Sequence, residues 1–373
     1  MDLISIEGLI DDIIAWASIE TPTDRPQSVN ELVSVVTDIH LRSGMHVDRI
    51  AGAFGRGDKL TARAPWGGEN EPGILVISHL DTVHPLGTLD QFPVRQVGNR
   101  LEGPGVFDMK AGACMAVEAS RAILRSGAAP RLPLTFLYVP DEEMGSQTSR
   151  DIIEEFARRA KYVLVVEGAE IGGAAITSRI GSLKFDLDIA GIAAHSGANH
   201  REGRSALREL AHQILTLEGM TDYDRGITVN VGTAFGGTRA NVVPEHANAR
   251  IDIRVTTPRC ASEMLGRIAD LDAKDPDVRV TYHGGIWRMP YMRSAGTAQL
   301  FDVAKRLAGP LGLSLTEARG MGGSDANLVA AFVPVLDGLG PQGGGAHTHH
   351  EWIDLASLRQ RTALLHQLMM NLE

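Results

Sequence analysis

The chain has 373 residues and only two cysteines, Cys114 and Cys260. Two thiols cannot staple a small disulfide-built fold, and their scarcity fits a reducing compartment. Long apolar runs are missing as well: none approaches the roughly 20 residues that a membrane-spanning helix needs. The opening stretch MDLISIEGLIDDIIAWAS carries acids within its apolar pattern and lacks a basic region, so it reads as an amphipathic helix and not as a secretion signal. A cytoplasmic protein without a membrane partner is expected. Positive charge is in deficit, with 36 Lys and Arg against 46 Asp and Glu and a formal charge of −10, which argues against nucleic acid or anionic membrane as a partner. Internal repeats and low-complexity segments are absent too.

What is there is a globular composition, 43% apolar and 22% charged, over a length that exceeds one ordinary core. Two domains are therefore expected. Up to about residue 178, strand-like runs alternate with helical ones. GILVISH, LPLTFLYVPDEE and KYVLVVEGAE read as strands, and MKAGACMAVEASRAILRSG as a helix closed by Gly127. That alternation predicts an α/β fold on a mostly parallel sheet. From Gly181 the pattern changes. In SLKFDLDIAG, Leu183, Phe185, Leu187 and Ile189 alternate with Lys184, Asp186 and Asp188, a strand with one wet face. Helix RSALRELAHQILTLEG, strands ITVNVGTAF and ANARIDIRVTT, helix ASEMLGRIADLDA and strand VRVTYHG complete a β-α-β-β-α-β order, the ferredoxin-like arrangement. Helix GTAQLFDVAKRLAG and strand FVPVLDG then resume the first pattern. Residues 1–178 and 291–373 are thus read as one α/β domain, and residues 179–290 as an inserted α+β domain. The strands of the insert lack the paired aromatics and basic face that stacking on bases requires.

The strands of the outer domain end in chemistry. VISHLDTVHP carries an apolar run into His79 and then Asp81, close enough to fix the imidazole, and open α/β sheets place their ligands at such carboxyl ends. GPGVFDMKAG sets Asp108 ahead of a helix, with Gly103, Gly105 and Gly112 permitting tight turns and close packing. YVPDEEMGS presents Asp141, Glu142 and Glu143, VLVVEGAE presents Glu167, and GGGAHTHHEWID supplies His347, His349 and His350. One such acid is usually a helix cap or a solvated loop residue. Five sites of His or carboxylate at corresponding strand ends are not independent accidents. Imidazole and carboxylate without thiolate suit zinc, or cobalt or manganese in the same geometry. Two His and three carboxylates are enough for two ions if one carboxylate bridges. A further carboxylate has to move the proton, and adjacent Glu142 and Glu143 can provide both functions, one ligating and one facing substrate.

In order along the chain, SHLDTV, GPGVFDMKAG, PDEEMGS, VVEGAE, GIAAHSG, ANVVPEHANARIDIR, GMGGSDAN and HTHHEWID resemble the M20 metallopeptidases, most closely their glutamate carboxypeptidase branch. The resemblance runs through almost the whole chain. It implies a metallopeptidase domain carrying an inserted lid and dimerisation domain, and two divalent metal ions, zinc first. It implies His79 and Glu167 on one ion, Glu143 and His347 on the other, Asp108 bridging, Glu142 as general base and Asp81 orienting His79. A cis peptide on the carboxyl side of Asp108 is implied as well. Only His347, followed by Thr348 and Glu351, fits the family's H-[ST]-x-x-E, which leaves His349 and His350 as loop residues. In the insert the resemblance implies that His195, Asn241 and Arg254 reach substrate, with His195 serving the partner chain of a homodimer. One departure is EGAE, where many relatives have Glu-Pro; it makes Glu170 a competing ligand candidate.

The resulting expectation is a metal-dependent hydrolase that cleaves an amide between an acyl or peptidyl group and an amino acid. Carboxypeptidase-type cleavage comes first and deacylation of N-acyl amino acids second. The substrate carboxylate would be held by Arg254 and by backbone donors near Gly323. A non-catalytic binding protein on the same fold is the rival from another class, but such a chain should have lost a ligand or the base, and none is missing.

Overall fold

The computed structural model describes residues 3–68 and 71–373. Its contacts divide the chain into two compact units. The first runs to Ser178 and includes Met292–Gly320 and Ser324–Glu373; the second is Arg179–Tyr291 with Met321–Gly323. Among the described residues no helix is long and apolar enough to cross a membrane. Both cysteines are buried and unpaired.

The first unit is built on a six-stranded sheet in the spatial order His46–Ile50, Lys59–Arg63, Leu134–Val139, Ile74–His79, Tyr162–Val165, Val335–Leu336. The last four run parallel, whereas the first two form an antiparallel hairpin on the edge. The sheet is therefore mixed. Those edge strands are short and polar, and His46–Ile50 is mostly exposed, so no apolar run marks them in the sequence. The run FVPVLDG keeps only Val335–Leu336 as strand. Ile74–His79 is buried at all six positions, as a central parallel strand with both faces covered should be.

Helix Ala111–Ser126 packs on this sheet and against helix Leu355–Asn371. It ends where Gly127 takes the left-handed conformation, φ 68°, which a glycine adopts without a Cβ penalty. Its start sits hard against the strand that precedes Glu167: a β-carbon built on Gly112 would lie 1.8 Å from the Val166 carbonyl oxygen. Only glycine permits that approach, and it brings the Asp108 turn close to Glu167. Trp16, Phe136, Tyr138 and Leu9 are among the buried side chains of the surrounding core. Each large apolar group so buried contributes about 1.5–3 kcal/mol.

The second unit holds a four-stranded antiparallel sheet in the order Thr228–Gly236, His246–Val255, Gly181–Ala190, Arg279–Arg288. Helices Ala206–Glu218 and Pro258–Ala269 pack on one face of it. Leu183, Phe185, Leu187 and Ile189 are buried in that core with Met264, while Lys184, Asp186 and Asp188 are exposed. Ser205 and Thr257 cap the two helices by accepting from the N–H groups of Arg208 and Cys260.

Candidate metal centre

Five side chains converge at the carboxyl end of the parallel strands. His79 is the last residue of its strand and is buried. Its Nδ1 lies 2.9 Å from the Asp81 carbonyl oxygen and 3.4 Å from Asp81 Oδ1. A carbonyl can only accept, so Nδ1 carries a proton, and loss of the other proton from Nε2 would present there the lone pair that a metal ligand needs. Nε2 faces Asp108 Oδ1 at 3.0 Å and Glu167 Oε1 at 3.7 Å. The other Asp108 oxygen lies 3.1 Å from His347 Nε2, which is 3.2 Å from Glu143 Oε2. Ligand atoms of His79, Asp108 and Glu143 all lie within 4.8 Å of one another. One carboxylate, Asp108, thus faces two separate donor pairs, His79 with Glu167 and His347 with Glu143.

Local structure explains this convergence. Asp108 sits in the turn Val106–Lys110, entered through Gly105 at φ 71°, and the Asp108–Met109 peptide bond is cis. Buried Glu351 accepts the N–H groups of Gly105, Phe107 and Asp108 at 2.8–2.9 Å, and its Oε2 pairs with His84 Nε2 at 3.0 Å. Asp81 is a second hub: it takes the Thr23 hydroxyl at 2.7 Å and the N–H groups of Glu142 and Glu143 at 3.2 and 3.3 Å. Lys110, fully buried, donates to the Ile19 carbonyl and ties the segment leading to Thr23 to the same turn. Asp141 faces away from this set, accepting from the Thr148 N–H and hydroxyl and from the Ser149 hydroxyl. His347 has φ 64°, a conformation uncommon outside glycine.

The electrostatics show what the protein alone leaves unbalanced. Burial lowers the His79 pKa, but hydrogen bonds to Asp108 and Asp81 and the charge of Glu167 carry it well above the ordinary value. Against its burial, Asp108 is held far below the carboxylate range by hydrogen bonds to His347 and His79. Burial, reinforced by the Asp108 charge, raises Glu143 to about 7 and Glu167 well above its usual value. Hydrogen bonds to Asp108 and Glu143 raise His347 to about 10. The crowding of three carboxyl groups is thus relieved by protons, on the two imidazoles and on the raised Glu143 and Glu167. Divalent cations would take over that balance, and this set of nitrogen and oxygen donors without thiolate suits zinc, cobalt or manganese.

Thr23, His84, Lys110 and the role of Glu351 as an acceptor were not marked in the sequence. Thr23 meets Asp81 across 58 residues, and Glu351 meets Asp108 across 243. Neither distance leaves a local signal, although Glu351 is the last position of the H-[ST]-x-x-E pattern. His349 is exposed and stacks on Phe92 with ring centroids 5.9 Å apart, and His350 is exposed on the same loop. The Glu170 backbone pairs with Ala174.

The remaining candidates lie in the second unit. The exposed His195 pairs with Val242 in a two-residue ribbon, and the Ser196 N–H donates to the Asn241 carbonyl at 3.0 Å, which sets His195 and Asn241 side by side. The Gly197 and Ala198 N–H groups both donate to His195 Nδ1 at 3.1 Å. That leaves the ring proton on Nε2. Arg254 donates from Nε and Nη2 to the two carboxylate oxygens of Asp252, at 2.5 and 3.2 Å. Gly323 lies beside buried Arg288, whose Cγ would be 3.4 Å from a β-carbon at that position.

Two imidazoles and three carboxylates gathered at the carboxyl end of a mixed α/β sheet form a candidate metal centre, and the chain belongs to peptidase family M20/M25/M40, whose model matches residues 75–371. Carboxypeptidase G2 of Pseudomonas sp. (strain RS-16) is 30% identical over 317 residues, covering 82% of this chain and 74% of its own. A probable carboxypeptidase of Aspergillus terreus is 32% identical over 235 residues, 57% of this chain and 52% of its own. Among solved structures, the M20 family metallo-carboxypeptidase Sso-CP2 of Sulfolobus solfataricus superposes with a TM-score of 0.77 at 16% identity, over 97% of this chain and 98% of its own. A dinuclear metal binding peptidase of the M20 family from Bacillus subtilis gives 0.70 at 13% identity, over 98% and 97%. The protein is a hydrolase of the metal-dependent carboxypeptidase and amidohydrolase type.

Proposed function

We propose that this hydrolase removes an amino acid from an acyl or peptidyl group, in the manner of a glutamate carboxypeptidase, using two divalent ions, zinc first. The observation that carries the reading is the position of Asp108, whose two oxygens lie 3.0 Å from His79 and 3.1 Å from His347. In this reading His79 and Glu167 hold one ion, Glu143 and His347 the other, and Asp108 bridges. When bound, the ions supply Lewis acidity to the scissile carbonyl and acidify the attacking water.

The protein's own groups do the rest. Glu142, its backbone held by Asp81, takes the proton from the attacking water and delivers it to the leaving nitrogen. His195, with its proton on Nε2, donates to the oxygen that becomes negative, and Asn241 joins it from the neighbouring position of the ribbon. Arg254 receives the substrate carboxylate. Asp252 occupies one edge of that guanidinium, so the carboxylate takes the remaining donors or displaces Asp252, with backbone N–H groups near Gly323 completing its site.

We assign residues 179–290, the ferredoxin-like part of the second unit, as the inserted lid and dimerisation domain of a homodimer, in which His195 serves the partner's site. Two buried, unpaired thiols support a cytoplasmic location. A panel of peptides and N-acyl amino acids, assayed after chelation and after return of each metal, tests the reading. Hydrolysis of a substrate with a free C-terminal carboxylate, lost on chelation and restored by zinc, is the expected result. Cleavage confined to small N-acyl groups would make the enzyme a deacylase, and full activity without metal would overturn the proposal.

A further inference from the structure

Phe107 stands immediately before Asp108, half-buried against the main core. Its backbone is pinned, because its N–H donates to Glu351 Oε1 at 2.8 Å. Its ring occupies a slot lined by two glycines from distant parts of the chain. A β-carbon built on Gly168 would lie 2.2 Å from Cζ, 2.3 Å from Cε2 and 2.7 Å from Cε1 of Phe107, and one built on Gly343 would lie 2.6 Å from Cδ2. Gly168 directly follows Glu167, and Gly343 precedes His347 by four residues. One ring therefore touches the segments that present Glu167 and His347, while its own segment presents Asp108.

We propose that Phe107 is a positioning residue that spaces both halves of the metal centre, acting as a strut between the strand ends that carry Glu167 and His347. A rigid ring held at its backbone by Glu351 sets how near those segments come to Asp108, and glycine at 168 and 343 is what lets them close onto it. A ring atom 2.2 Å from the Cβ position at 168 means that any side chain there must displace the Phe107 ring. The proposal rests on the ligand assignment made above and adds to it what fixes the ligand spacing.

The two glycines supply a test with its own control. All three nearest neighbours of a β-carbon at 168 are atoms of the Phe107 ring, whereas one at 343 would also lie 2.2 Å from the Trp352 carbonyl oxygen. Zinc affinity is measured by competition with a chromogenic chelator, and folding by circular dichroism. Gly168→Ala should weaken zinc binding by roughly 10- to 100-fold, the range typical of residues that orient ligands. Adding Phe107→Ala to Gly168→Ala should cause little further loss and leave the double variant near the affinity of Phe107→Ala alone, whereas adding it to Gly343→Ala should lower the affinity further, because the clash with the Trp352 carbonyl remains. Phe107→Ala alone should also weaken zinc, with Phe107→Leu in between; this single series decides the matter if Gly168→Ala fails to fold. Additive losses at 107 and 168, or a Phe107→Ala chain that binds zinc as the wild type does, would overturn the strut. A wild-type chain that binds no zinc would instead overturn the ligand assignment, so the two failures are distinguishable.

Discussion

Glu142 and Glu143 are neighbours of one chemical type in one turn, and the proposed function gives them different work. The Glu143 carboxylate is packed against His347, and burial together with the Asp108 charge lifts it to about 7. The charge of Glu142 contributes to the raised pKa of Glu167. Glu142→Gln should therefore leave two metals per chain by elemental analysis and lower kcat by about two to four orders of magnitude. Glu143→Ala should lose metal. If the two variants exchanged these phenotypes, the assignment within the pair would be wrong. His40 supports a prediction independent of catalysis. It is buried against Tyr138 OH at 2.7 Å and Met45 Sδ at 3.0 Å, and burial lowers its pKa from 6.5 to about 3. Between those values the unfolded chain takes up a proton that the folded one refuses. The stability from His40 is thus complete above pH 6.5 and declines as pH falls, by up to about 1.4 kcal/mol per unit. His40→Leu should flatten the acid limb of the stability curve relative to wild type. The Tyr138 hydroxyl it orphans adds only a constant offset, and an unchanged slope would refute the account.

Among the elements, helix Leu355–Asn371 contributes a charge where none is expected. Arg361 is buried and donates to the carbonyls of Gly340, Gly173 and Gly338, with no carboxylate among these three partners, and burial lowers its pKa to about 10. It clamps the glycine-rich loops on either side of Glu167. Arg361→Leu leaves three buried acceptors without donors and should cost at least about 3 kcal/mol in urea unfolding. A loss below 1 kcal/mol would mean that water replaces the guanidinium. This clamp also shows where reading the sequence stops. His79, Glu143 and Glu167, which the structure brings together, stood out because each ends or closely follows the apolar run of a sheet strand, and the alternation from Leu183 to Ile189 marked a half-wet strand. The edge hairpin His46–Ile50 and Lys59–Arg63 was not legible, because short polar strands are specified by their neighbours and not by their own pattern. Thr23, Arg361 and the acceptor role of Glu351 were silent for a related reason. A buried polar residue is identified by its partner, and these partners lie 58, 188 and 243 positions away.

For the whole molecule, cations that bind only the folded centre stabilise it by mass action, by about 4 kcal/mol when free metal is a thousandfold above Kd. Removing metal should therefore lower Tm as well as abolish activity, and calorimetry before and after chelation checks both; an unchanged Tm would place the ions outside the folded cluster. Completion of each site by the partner chain has a separate test. Mixing Glu142→Ala with His195→Ala chains should restore part of the activity, since one site in the heterodimer keeps both residues, and no recovery after demonstrated subunit exchange would place His195 in its own chain's site. Glu351 carries one further consequence, about timing. The turn that aims Asp108 hangs on an acceptor 243 residues further along, so a chain still on the ribosome displays Asp108, Glu143 and Glu167 long before the group that shapes their meeting place exists. Under the proposed ligand assignment such a nascent chain has no assembled site for divalent ions, and metal uptake waits until the segment carrying Glu351 is free to fold onto the Asp108 turn.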